Sequence, residues 1–84
     1  IVKSTKNGPA KYKPDINIEA LERNVWENGK NVTNGKTWKV MKFDEIIGAS
    51  EGKPTKYVRV EMSADTIHGH PISEKEFKKL TKVH

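Results

Sequence analysis

The chain has 84 residues, 33% of them hydrophobic and 32% charged, with a formal net charge of +5 and no cysteine. That length holds one domain at most, and without cysteine no disulfide framework, iron–sulfur cluster or zinc–thiolate site can reinforce it. No stretch approaches the ~20 apolar residues of a membrane span, and at 84 residues neither a helical membrane protein nor a large multi-step enzyme is expected of this chain.

Residues 1–14 carry Lys3, Lys6, Lys11 and Lys13 with no acid, two prolines and no apolar periodicity. They read as a basic linker or arm, and an opening Ile1 rather than Met is expected of a segment cut from something longer. The single folded domain is expected over residues 15–84. Its first element is a helix: Asn17 is the N-cap, Ile16 staples to Leu21, and Ile18, Leu21 and Val25 recur at helical spacing with Trp26 widening the stripe. Asn28-Gly29 supplies the stop. Glu19 and Glu22 lie on its acidic outward face, near the positive end of the helix dipole.

Beyond Gly29 the period becomes two. Asn34-Gly35 marks a turn, and Thr37 to Phe43 (TWKVMKF) reads as a strand. Asp44 to Ala49 (DEIIGA) is too short to assign, and Ser50 to Pro54 (SEGKP) is a loop by composition. Lys56 to Met62 alternates cleanly, with Val58, Val60 and Met62 on one face and Tyr57, Arg59 and Glu61 on the other. A turn near Ser63-Ala64-Asp65 leads to a return strand, Thr66 to His70. Ser73 with Glu76 three residues on forms a capping box, and Ile72 staples to Phe77 at the start of a short basic helix. The expected fold is α+β: an N-terminal helix and a short C-terminal helix packed against one face of a small twisted antiparallel sheet.

His68 and His70, two apart in a strand, point to the same face. With Ile67 turned to the core, that face also carries Tyr57, Arg59 and Glu61 from the neighbouring strand, with cross-strand Cβ atoms roughly 5 Å apart. Gly69 between the histidines leaves room for another element on the core side. RNA cleavage needs a base for the 2′-hydroxyl proton, an acid for the leaving oxygen and a cation for the charged phosphorane. Two histidines and an arginine supply these, with Glu61 orienting a histidine, and no metal or other cofactor is required. Lys39, Lys53, Lys56 and Tyr57 are candidate substrate-binding residues, although both faces of the Lys39 strand carry lysine. Competing uses exist for each feature. A His-x-His pair also suits zinc, with Glu61, Asp65 or His84 as further ligands. The histidines can be plain surface residues, and Trp26 and Trp38 can either stack on bases or fill the core.

The segments GKTWKVM (Gly35–Met41), FDEIIGA (Phe43–Ala49) and IHGHPIS (Ile67–Ser73) with the basic helix after it resemble the C-terminal toxin domains of bacterial polymorphic and contact-dependent growth inhibition toxins. The resemblance spans roughly residues 12–82. It implies a small α+β fold shared with RelE-like, EndoU-like and colicin-type ribonucleases. The implied activity is metal-independent cleavage of tRNA or other RNA to a 2′,3′-cyclic phosphate, with His68 and His70 the residues carried over. It further implies a cognate immunity protein and, for some members, a host factor such as elongation factor Tu. Delivery would be from the cell surface or by secretion as part of a larger protein, with action in the target-cell cytoplasm. The alternative is a non-catalytic basic module that binds nucleic acid or an acidic protein.

Overall fold

The computed structural model describes residues 10–82. In chain order the elements are β1 (Lys11–Tyr12), α1 (Ile18–Asn28), β2 (Lys30–Asn31), β3 (Trp38–Lys42), β4 (Gly48–Ser50), β5 (Lys53–Thr55), β6 (Tyr57–Ser63), β7 (Thr66–Ile72) and α2 (Glu74–Leu80). The fold is α+β, with the strands in two antiparallel sheets: β1-β4-β5 and β2-β3-β6-β7.

Both helices start where their capping residues place them. The Asn17 carboxamide accepts from the Ala20 N–H at 3.1 Å, and the Ser73 hydroxyl accepts from the Glu76 N–H at 3.1 Å. α1 ends as Gly29 donates to the Val25 carbonyl at 2.7 Å. A Cβ on Gly29 would lie 2.6 Å from the Val25 carbonyl and 2.8 Å from that of Val40, so the helix end abuts β3 because the residue is glycine.

The register of the larger sheet sorts its residues into two faces. Val58 pairs with Met41 and Pro71, and Val60 with Lys39 and Gly69; Arg59 pairs with Val40 and His70, and Glu61 with Trp38 and His68. α1 covers the first face, where Val25, Val58, Val60 and Ile47 form one core with Leu21, Trp26 and Met41 packed on it. α2 covers part of the second, where Val32, Val40, Ile72 and Leu80 form another with Trp38, Tyr57 and Phe77. The helices therefore lie on opposite faces, not on one as the sequence suggests. The alternation of β3 hides this, because Val40 and Met41 are both apolar and serve different cores.

Three further differences concern short elements. Lys11 and Tyr12, inside the stretch read as a basic arm, pair with β4, and Tyr12 is half-buried. Residues 1–9 of that arm lie outside the described residues. The SEGKP segment is a tight hairpin between β4 and β5, its two central residues Glu51 and Gly52 at φ 53° and 81°. Such positive angles are what a two-residue hairpin turn needs, and Pro54, which has no N–H to donate, sits on the outer strand of its sheet. DEIIGA supplies Ile47 to the first core and Gly48 and Ala49 to β4.

Candidate active site

The β6–β7 hairpin turns through Ala64 and Asp65, both at positive φ (52° and 67°), and pairs Ser63 with Thr66. From that turn the register follows, and two side-chain rows form on the second face. One row is Trp38, Glu61 and His68; the next is Val40, Arg59 and His70. Directly opposed residues in an antiparallel pair have Cβ atoms roughly 5 Å apart, so Arg59 meets His70 and Glu61 meets His68. The four residues assigned catalytic roles from the sequence thus share one patch.

Arg59 is held on two sides. Its guanidinium carbon lies 4.1 Å from the Trp38 ring centroid, and Nη1 is 3.3 Å from Glu76 Oε2 of α2. The Arg59 side chain keeps only 17% of its exposure, and its Nε–H is buried without an acceptor. Lys36 adds a second cation 5.6 Å from the Trp38 centroid. His70 is half-buried, and its pKa is lowered from the ordinary histidine value, first by burial and then by the Arg59 cation; Glu76 and Glu61 pull the other way. His68 is exposed.

Gly69 lies on the α1 side of the sheet, opposite the face of its histidine neighbours. A Cβ there would meet Val60 Cγ2 at 2.8 Å, the Arg59 carbonyl at 3.0 Å and Glu22 Oε2 at 3.1 Å. The element that the glycine admits is thus α1, through Glu22. That carboxylate accepts from the Tyr12 hydroxyl at 3.1 Å. Burial raises the Glu22 pKa, while the Tyr12 hydroxyl, the Gly69 N–H and the nearby His68 oppose the rise. Burial, joined by Glu22, also raises that of Tyr12.

The four candidate substrate-binding residues divide. Lys39 pairs with Val60 and so lies on the α1 face, its ammonium 5.8 Å from the Trp26 centroid. It is on the opposite side of the sheet from the histidines. Lys53, Lys56 and Tyr57 line a groove of ≈ 730 Å³ between the β4–β5 hairpin and the start of α2. The Tyr57 ring is also committed to the second core, 4.6 Å from that of Phe77.

Two residues of the patch have roles the sequence did not assign. Glu76 reads as a helix-capping residue, and its backbone N–H does donate to the Ser73 hydroxyl oxygen, but its carboxylate accepts from Arg59. Trp38 reads as stacking platform or core, and it is the plate under the same guanidinium. Alternation on β3 and β6 contains the Trp38–Arg59 proximity once the two strands are paired; nothing local contains Glu76–Arg59. Among the described residues no three His, Cys, Asp or Glu side chains converge as a metal site requires, and His84 lies outside them. Among the same residues no helix is long and apolar enough to cross a membrane. No protein-family model, curated protein or solved structure matches the chain.

Proposed function

We propose that this domain is a metal-independent endoribonuclease acting through His68 and His70. The observation that carries the reading is the cross-strand register that sets Arg59 against His70 beside Glu61 against His68. In the reaction the 2′-oxygen attacks the adjacent phosphorus as the bond from phosphorus to the 5′-oxygen breaks, leaving a 2′,3′-cyclic phosphate. His70 takes the 2′-hydroxyl proton, its lowered pKa keeping the imidazole unprotonated near neutrality. His68, paired across the strands with Glu61, gives a proton to the departing 5′-oxygen. Arg59 faces the phosphorane charge, and the stacking on Trp38 and the Glu76 pair hold it in place. The toxin-domain resemblance adds tRNA as the RNA, an immunity protein as partner and, for some members, a host factor such as elongation factor Tu.

The test is incubation of the purified chain with total bacterial RNA in excess EDTA, with and without cell extract, followed by end-group analysis. Fragments ending in a cyclic phosphate, lost in His68→Ala and His70→Ala variants that still fold, are expected. RNA left intact in both conditions overturns the proposal.

One observation favours a second reading, a non-catalytic nucleic-acid-binding module: the Arg59 guanidinium already has Glu76 and Trp38 as partners. In that case the histidine substitutions leave the interaction with RNA unchanged and no fragments form.

A further inference from the structure

Beside the histidine patch lies a concavity with a different composition. The groove between the β4–β5 hairpin and the start of α2 is lined by Lys42, Lys53, Lys56 and Lys75, with Glu51 and Glu74 as its acids. Glu74 is already paired to Lys78 at 3.1 Å, which also holds its carboxyl pKa low. The positive side is therefore in excess along the groove, and its lysines come from four separate segments: β3, β5, the β5–β6 link and α2. Tyr57 is the one aromatic residue of the lining, and its ring packs on Phe77, so the walls offer little stacking surface for bases.

The groove adjoins the histidines through β6. Tyr57 pairs with Lys42 and Ile72 in the row next to that of Val40, Arg59 and His70. Same-face neighbours on a strand are about 7 Å apart along the chain, so the Arg59–His70 row is the next one beyond Tyr57, and the Glu61–His68 row the one after it.

We propose that this groove binds the phosphate backbone of single-stranded RNA, independently of base sequence, and feeds the strand to the histidine patch. The binding is electrostatic: flexible ammonium groups on four segments follow a chain of phosphates and read no base edge. The inference rests on the ribonuclease reading for the identity of the polyanion, and its test uses a ligand that cannot be cleaved.

A fluorescent 2′-O-methyl oligouridine, which lacks the attacking hydroxyl, is titrated with the protein by anisotropy across a range of salt concentrations. The proteins are the unaltered chain, Lys53→Gln/Lys56→Gln, Lys42→Gln/Lys75→Gln and Arg23→Gln, each checked for fold by circular dichroism. Each phosphate contact to a single strand contributes about 0.7 to the slope of log affinity against log salt. Each groove pair should therefore bind more weakly and lose about 1.4 from that slope, while Arg23→Gln, exposed on α1 across the sheet, changes neither. Equal slopes in all four proteins, or no binding by the unaltered chain, overturn the proposal. So does capture of a polyglutamate peptide in preference to the oligonucleotide, which would assign the groove to an acidic protein. Turnover enters none of these readouts, so loss of cleavage in the histidine variants stands or falls separately.

Discussion

Gly69 shapes the candidate site although it has no side chain to offer it. A methyl group there would meet Val60, the Arg59 carbonyl and Glu22 at 2.8–3.1 Å, two of which are core or backbone atoms that cannot swing aside. Gly69→Ala should cost about 1–3 kcal/mol through overpacking, read as a lower urea midpoint, and should displace both histidines that flank it. The pH dependence of stability gives a separate handle on His70. Its folded pKa lies below the ordinary value of 6.5, so protons bind the unfolded chain more readily. Its contribution is fully present above pH 6.5 and is lost as pH falls through the lowered folded value. His70→Gln should flatten the stability curve in that window; an unchanged curve would mean the imidazole is solvated. Glu22, whose pKa is raised, acts with the opposite sign: its contribution is full below pH 4.5 and is lost as pH rises through the folded value. At this scale the sequence showed the histidine face, because alternation in two clean strands needs no partner to be read. It did not place Lys39, since a lysine on either face of β3 satisfies the same pattern, and only pairing with Val60 decides.

Elements with their own start signals were readable, and those defined only by a neighbour were not. α1 and α2 announce themselves through Asn17 and Ser73, whose side chains each satisfy a backbone N–H at the first turn. Asn17→Ala should cost about 1 kcal/mol, a fall in melting temperature of roughly 4–8 °C for a domain this small. β1, β4 and β5 have two or three residues each, with a glycine in β4 and a proline in β5, so no period develops before the strand ends. Their existence depends on one another: Lys11 on Ala49, and Gly48 on Thr55. The β6–β7 hairpin shows the converse, a strong element with an imperfect turn. Ala64 and Asp65 both hold positive φ; aspartate tolerates this region, whereas for alanine it costs roughly 1–2 kcal/mol. Replacing the pair by Asn-Gly should stabilise the domain by about 1 kcal/mol and leave the histidine register unchanged. A destabilised double variant would show that the turn's side chains, not its backbone, set the hairpin.

The whole molecule is a sheet between two unlike cores, and the smaller sheet is tied to both. Tyr12 and Ile47 join β1 and the β3–β4 link to the α1 side. Thr55 does the complementary work: its buried hydroxyl donates to the Ile72 carbonyl at 2.6 Å and accepts from the Tyr57 N–H at 3.3 Å, joining β5 to β6 and β7. Replacing Thr55 by Val strands two backbone groups and should cost about 1–3 kcal/mol, more than an exposed threonine would. Because Val40 and Met41 are adjacent on one strand yet serve opposite cores, neither core can open without moving β3, and β3 is paired along its length to β6. Unfolding should therefore be a single cooperative step. The chain's two tryptophans make this measurable, since Trp26 packs on the α1 core and Trp38 on the α2 core. Trp26→Phe and Trp38→Phe each leave one reporter, and urea unfolding followed by that fluorescence should coincide with the loss of far-ultraviolet dichroism in both variants. If the Trp38 signal moved at lower urea than the dichroism of the same variant, α2 would be releasing while the rest held. Arg59 would then lose Glu76 before the fold is lost, and the guanidinium would be available to a phosphate in a protein that is otherwise native. Coincident transitions would instead fix the Arg59–Glu76 pair as part of the cooperative folded state.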